Sequence, residues 1–409
     1  MTDASPPLRL EAAWLTAPPR ARVFAALAAK GHVARAVGGA IRNTLLGAPV
    51  ADVDIATTAT PQETIAAARA AGLKALPTGL AHGTVTIVVD GIATEVTTLR
   101  TDVETHGRHA TVAFTTDWVA DAERRDFTMN ALYCDADGTL FDPLGGYDDL
   151  VARRVRFIGD ATTRIREDCL RILRFFRFTA QYGAGPLDAA GLAACVAERD
   201  GLTRLSAERV SQEVQRLLVA PRAIDIVGDM FGHGLIAAIL GRAPDCARLA
   251  RLAACEAALG IAPEFARRLA ALAVQVEEDA DFLQTRLRLS NAVTARLRAA
   301  ATAPRWDAPP GLAAARAHLY RTGPDAFRDA LLAAWSRQAM GADTPAWGPL
   351  YALPDTWTPP SFPLDGADAA AAGVPPGPAI GIALRTAEAA WIASDFTLTR
   401  DALRALLKV

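Results

Sequence analysis

At 409 residues the chain is long enough for two to four domains and a large core, and 51% hydrophobic content argues against disorder. A net charge of −2 and a pI near 6.3 exclude a uniformly basic surface, so a nucleic-acid partner needs a local basic patch. Positive charge is almost all arginine, with lysine only at Lys30, Lys74 and Lys408, a compositional bias without functional meaning of its own.

The N-terminus, M-T-D-A-S-P-P, lacks the basic and apolar regions of a secretory signal, and a cytoplasmic protein is expected. Val33 to Val37 reads as a strand ending in Gly38-Gly39, then a short helical pattern, then Asp52 and Asp54. Glycines let backbone N–H groups approach a phosphate without Cβ obstruction. Arg42 can fork onto phosphate oxygens. Residues i and i+2 of a strand share a face, so Asp52 and Asp54 present paired carboxylates, which suit hard Mg²⁺ ions bridging nucleotide phosphates. Taken singly, a Gly pair before a helix is common, and D-x-D reads more often as a turn or a solvated strand end. Pro61 to Ala71 is predicted helical with Thr60 as N-cap. Thr84–Val89 and Ile92–Thr98 are predicted strands joined at Asp90-Gly91. A second hairpin is predicted from Leu132–Asp135 and Thr139–Phe141 through Asp137-Gly138.

From about residue 151 strand signals vanish and apolar residues recur at helical spacing, as at Val210, Val214, Leu217 and Leu218. Residues 151–222 hold 13 Arg against 8 acidic residues, a local balance of +5. On one continuous helix Glu167, Arg171, Arg174 and Phe178 share a face, and Asp168, Arg171, Arg174 and Arg177 wind beside it. Read alone, that pattern is an ordinary helix with intrahelical ion pairs of roughly 0.2–0.5 kcal/mol each. The five cysteines, at 134, 169, 195, 246 and 255, lack C-x-x-C pairing and read as buried thiols. His82, His106 and His109 have no metal-site spacing. Residues 303–378 hold 13 of the 25 prolines, and a long loop is expected around 341–367. Ala369 to Leu384 is uncharged but broken by prolines and glycines, so no membrane helix is expected. Gly373 to Gly381 opens a helical pattern, and reads equally as a phosphate site or a plain interdomain cap. The tryptophans at 306, 335, 347, 357 and 391 read as core anchors.

Five ordered motifs resemble one known family. G-G-x-x-R-(N/D)-x-L-L-G followed by D-x-D resembles the signature of the polymerase β-like nucleotidyltransferases, in particular class II CCA-adding tRNA nucleotidyltransferases and bacterial poly(A) polymerases. Glu95 in E-V-T-T-L-R resembles the family's strand with a third carboxylate, and Gly107-Arg108-His109 its polar loop. Arg124-Arg125-Asp126-Phe127-Thr128-Met129-Asn130-Ala131-Leu132 is nearly its R-R-D-F-T-x-N-A-L. Asp142-Pro143, Gly145-Gly146 and Asp148 resemble the next motif, and residues 167–178 match E-D-x-x-R-x-L-R-x-x-R-F. One departure is Asn43, where the family usually has an Asp that supports Arg42.

The resemblance implies an α+β fold: a mixed-sheet catalytic head over 1–150, then an all-helical neck (151–222), body (223–303) and Pro-rich linker and tail (304–409). It implies addition of CCA to the 3′ end of tRNA from CTP and ATP, with Mg²⁺ held by Asp52 and Asp54. Glu95 would orient or deprotonate the attacking hydroxyl. Gly38, Gly39, Arg42 and Arg125 would hold phosphates, Asp168 and Arg171 would read the base, and Arg174 and Arg177 would contact phosphate or sugar. The helical part after residue 200 would bind the body of tRNA, with Gly373 to Gly381 on its backbone. The segment through Trp391 and Phe396 resembles the C-terminal parts of bacterial CCA-adding enzymes. A poly(A) polymerase, a CC-only or A-only enzyme, and an inactive RNA-binding module remain alternatives at this point; the intact D-x-D speaks against the last.

Overall fold

The computed structural model describes residues 8–106, 109–338 and 344–407. Gly107 and Arg108 of the expected polar loop, and Lys408, lie outside the described residues. The chain divides into two compact units, Met1–Ile239 and Leu240–Val409.

The first unit is built on a seven-stranded sheet of β1 (Ala34–Val37), β2 (Asp54–Thr57), β3 (Lys74–Gly79), β4 (Thr84–Val89), β5 (Ile92–Thr98), β8 (Tyr133–Cys134) and β9 (Leu140–Phe141). The order is β3-β4-β5-β2-β1-β8-β9, with a separate hairpin of β6 (Arg100–His106) and β7 (His109–Phe114). β2 and β5 run parallel, with Ile55 opposite Val96, while the other pairs are antiparallel. The β4–β5 hairpin has the predicted bounds; Asp90 and Gly91 both take positive φ (51° and 80°), the twist that a two-residue hairpin needs. The second predicted hairpin forms with shorter strands. Thr60 caps the helix Pro61–Ala70 in a reciprocal capping box with Glu63. The sheet is buried in its middle: Val85, Ile87, Ile55 and Val96, and Leu99 just after β5, are fully buried, and β2 is buried on both faces from Ile55 to Thr57.

After β9 the unit is helical. The aromatic rings of Phe127, Phe157, Phe175 and Phe178 pack with centroids about 5.0–6.4 Å apart and fix the neck helix Leu170–Tyr182 to the segment following Arg124-Arg125. Gly146 is required by packing, because a Cβ there would stand 2.1 Å from the Thr128 carbonyl oxygen. The helical spacing puts residues 167–178 on one continuous helix. Instead, one helix ends at Glu167 and the next starts at Leu170, with Asp168 extended between them (φ −151°, ψ 104°). The Asp168 carboxylate accepts from the Leu170 N–H at 3.1 Å, and this local bond competes with helix continuation.

The second unit is all helical among its described residues. Of the long loop expected around 341–367, residues 341–343 lie outside the described residues; among the described ones Thr344–Tyr351 and Leu353–Thr356 are helices, and 357–365 is irregular chain. Pro354 sits at the start of its helix, where a missing N–H costs nothing. Trp347, fully buried and stacked on Trp335 at 5.9 Å, anchors this region in the core. A second core gathers Leu364, Ala369, Val374, Ala387, Trp391, Leu403 and Leu407, and beneath it Asp368 is clasped by Arg400 and Arg404. The helix Pro378–Ala393 starts within the predicted Gly373–Gly381 segment, with Gly377 at φ 104°. No described helix is long and apolar enough to cross a membrane.

Candidate active site

β1 delivers the chain to Gly38, which turns it at φ 69°, a conformation natural only to glycine. The helix Gly39–Leu45 begins there, so its free N–H groups face the cleft that Gly38 and Gly39 line. A Cβ on Gly38 would meet the Asn130 carbonyl oxygen at 3.4 Å and an Arg125 Nη at 3.8 Å.

The cleft has a volume of about 420 Å³ and is lined by Gly38, Gly39, Arg42, Asp54, Arg125, Asp126, Asn130, Asp168, Arg171, Arg174, Phe178 and Arg209, among others. A wider groove of about 850 Å³ runs beside Phe157, Ile158 and a row of alanines. It contains none of the paired carboxylates, so the smaller, more charged cleft is the candidate site.

Asp54 opens β2, and Asp52 lies two residues before it; both are exposed, with Val53 buried between them. The parallel register that sets Ile55 opposite Val96 brings Asp54 beside Glu95 on β5. Desolvation in the cleft raises the Asp54 carboxyl above its ordinary value; Glu95 and then Asp52 add like-charge repulsion, and Arg125 opposes. Asp54 thus stands among like charges with one opposing cation, and its hard carboxylate oxygens suit a divalent ion. Among the described residues no three His, Cys, Asp or Glu side chains close a metal cage. An open pair is what Mg²⁺ sites use, since water and phosphate oxygens complete the shell. Asp52 and Glu95 act on Asp54 without lining the cleft itself.

Arg42 is buried, donating to Asn130 Oδ1 at 2.5 Å and the Tyr182 hydroxyl at 2.8 Å, and lying 4.0 Å from the Tyr182 ring centre. Burial lowers its pKa. Asn43, at the position of the family's usual Asp, accepts from both Arg42 Nε (3.2 Å) and Nη2 (2.9 Å), so the amide supplies the support without the charge. Asn130 passes the network on to Asp126 at 3.0 Å, and Asp126 receives a fork from Arg174 at 2.8 and 2.6 Å. Burial pushes the Asp126 carboxyl up, but the Arg174 guanidinium and its hydrogen bonds outweigh this, and it lies below the ordinary value. Arg125 is held by Asp121 at 3.0 Å and Tyr133 at 3.2 Å and reaches the cleft.

On the far wall Asp168 is forked by Arg209 at 3.2 and 2.6 Å, and Arg171 donates to Glu167 and to the Arg164 carbonyl oxygen at 2.8 Å. Asp168 and Arg171 therefore meet at the cleft although a helix break separates them. Arg177 does not line it: nearly buried, it is paired with Glu213 and stacked 4.1 Å from the Phe178 ring centre. Sequence reasoning missed Arg209, Glu213 and Tyr182. A signal existed for the first two, which stand at i and i+4 on the predicted amphipathic helix, here Ala207–Leu218; nothing local marked Tyr182.

Residues 34–156 match the family described as "Poly A polymerase head domain". The chain is 46% identical over 204 residues to the mitochondrial CCA tRNA nucleotidyltransferase 1 of Danio rerio, covering 49% of this chain and 47% of that one. It is 41% identical over 226 residues to the CCA-adding enzyme of Geobacillus thermodenitrificans, covering 55% of each. The chain thus spans about half the length of the curated relatives it matches. The crystal structure of the Bacillus stearothermophilus CCA-adding enzyme in complex with CTP superposes with a TM-score of 0.74 at 29% identity, over 95% of each chain. The Thermotoga maritima CCA-adding enzyme complexed with tRNA shares the fold at TM-score 0.67 and 18% identity, over 95% of this chain and 94% of that one. Residues 34–156 are thus similar to the poly A polymerase head domain, on a fold that the chain shares with CCA-adding enzymes.

Proposed function

We propose that the chain adds CCA to the 3′ end of tRNA, transferring CMP and AMP from CTP and ATP and releasing pyrophosphate. The observation that carries this is the single cleft that joins a glycine turn and Arg125 to the Asp168–Arg171 pair, with Asp54 on its wall. One side can hold a triphosphate and the other can read a base. The likeness to a CTP-bound CCA-adding enzyme over nearly the whole chain supports the same reading.

The Gly38–Gly39 turn and Arg125 hold the triphosphate, with Arg42 and Asn130 fixing the turn from behind. Asp52 and Asp54 would hold divalent ions, Mg²⁺ by the hardness of their oxygens. Bound there, such ions neutralise the triphosphate and lower the pKa of an attacking hydroxyl. Glu95 orients the tRNA 3′-hydroxyl for attack on the α-phosphate. Asp168 accepts from the exocyclic amine that CTP and ATP share, and Arg171 donates to base acceptors. Arg174 braces Asp126 and contributes positive charge to the cleft; Arg177 supports the neck helix through Glu213. The head (1–150), neck (151–222), body (223–303) and tail (304–409) remain our proposed division of labour, and the cytoplasm our proposed compartment. The test is to incubate the pure protein with a tRNA lacking its 3′ end and each nucleotide separately and together. Ordered addition of two C and one A, then arrest, is expected. Open-ended A addition would instead identify a poly(A) polymerase.

A further inference from the structure

Among the arginines of the second unit that form no ion pair with a described carboxylate, Arg248, Arg251, Arg305 and Arg337 lie close together. Local hydrogen bonds bring them to one place. Arg251 Nε donates to the Ser336 carbonyl oxygen at 2.6 Å, the residue before Arg337. Gln338 Nε2 donates to the Trp306 carbonyl oxygen at 3.1 Å, the residue after Arg305. Arg248 stands one turn before Arg251 on the helix Cys246–Leu259, and shares a narrow crevice with Ser336.

The contrast with neighbouring arginines is informative. Arg268 is as buried as Arg248 but is paired with Glu256 at 2.8 Å. Arg248 has only the Val274 carbonyl oxygen, at 2.9 Å, and its Nε is buried without a partner, as is Arg337 Nη1. Burial and the positive charges of Arg337, Arg251 and Arg305 lower Arg248 to about 10, and burial and Arg305 lower Arg337. Asp245 opposes, but its carboxylate is engaged in capping the helix through the Arg248 N–H at 2.8 Å. Uncompensated guanidiniums in a partly desolvated place are costly unless an anion completes them. Arg305 is exposed and Arg251 and Arg337 are half-buried, so an anion can reach the group from solvent. Planar guanidinium forks, gathered this closely, suit phosphate oxygens.

We propose that Arg248, Arg251, Arg305 and Arg337 form a phosphate site that grips the backbone of the RNA substrate. The proposal rests on the reading that the chain acts on tRNA. It gives the second unit one defined role in substrate binding, with Arg251, Arg305 and Arg337 touching phosphate and Arg248 supporting them from beneath. The site reads no sequence, which suits a ligand whose body varies.

The full chain is assayed for binding and CMP addition on a tRNA that ends before CCA, with salt varied from about 50 to 200 mM. Arg305→Ala, on an exposed side chain, and Arg337→Ala are expected to raise the tRNA Kd and KM about three- to tenfold, while the KM for CTP stays unchanged. The slope of log affinity against log salt becomes shallower by about 0.7–0.9 for each phosphate that is no longer neutralised. Arg337→Lys keeps the charge and recovers part of the affinity. Wild-type tRNA affinity and salt slope in Arg305→Ala and Arg337→Ala would overturn the proposal. So would inorganic phosphate that stabilises the wild type through these arginines while leaving tRNA affinity untouched, the mark of a small-anion site. If the wild type binds tRNA but adds nothing to it, the proposed activity fails, and the binding measurement still decides the site.

Discussion

At the scale of single residues the cleft combines paired and unpaired charge. Arg42, Asp126, Asn130 and Arg174 satisfy one another, whereas Asp52, Asp54 and Glu95 form no ion pair among the described residues, Arg125 acting on Asp54 from a distance. Asp52→Ala or Asp54→Ala is therefore expected to cut CMP addition by about a thousandfold, since losing a metal ligand forfeits several kcal/mol of charge stabilisation. tRNA affinity should hold, and near-normal turnover in Mg²⁺ would rule the assignment out. Asp168→Ala or Arg171→Ala should relax discrimination against UTP and GTP by roughly 10–100-fold, more than either weakens triphosphate binding. Unchanged selectivity with a lower Tm would leave only a structural role for the pair. The residue types of this site were legible because each motif carries its chemistry in a short window. Arg209 was not, because it lies 41 positions from Asp168 and its meaning appears only when two helices meet.

At the scale of elements, turns and caps were the most legible parts. Asp90-Gly91 and Thr60 act locally, within a few residues, so the sequence alone specifies them. Thr60→Ala should destabilise the first unit by about 1 kcal/mol in a denaturant titration, the usual cost of a lost N-cap. No change would mean that Glu63 alone holds the helix start. The break at Asp168 is invisible to periodicity because the helical spacing runs on through it; a side-chain bond to the Leu170 N–H overrides the pattern. The tail region misleads for the opposite reason: prolines suggest loop, but several begin helices. One C-terminal element is sensitive to acid. Arg404 and Arg400 hold the Asp368 carboxyl at about 2, against its ordinary 3.8. A depressed carboxyl stabilises the fold fully above its ordinary value and loses that contribution as pH falls towards about 2. Asp368→Asn should thus be less stable than wild type at neutral pH, with the gap closing by pH of about 2. Trp391 fluorescence, in the core above this clasp, is a suitable probe; a gap independent of pH would contradict the assignment.

At the scale of the whole molecule, the α+β head and helical remainder were readable from periodicity, because strand signals stop where the sheet stops. The division into units was less so: it falls after Ile239, within a run of helices of similar composition, where no change of pattern marks it. Truncation before Gly366 removes the Asp368 clasp and the Trp391 core. It should raise the tRNA KM or abolish addition while CTP and ATP binding by the first unit survives. Unchanged efficiency of CCA addition would make the tail dispensable.

The Arg209 fork on Asp168, with Glu167 on Arg171, has a kinetic consequence. Before any nucleotide arrives, both groups assigned to the base are already satisfied within the protein. An incoming base must then displace a partner, not merely fill a vacancy. A base with the matching donor and acceptor edge repays that exchange; one with the reversed edge offers nothing, and the resident pair closes again. Selectivity would then reside in how often the exchange completes, so the rejected nucleotides should dissociate quickly instead of binding badly and lingering.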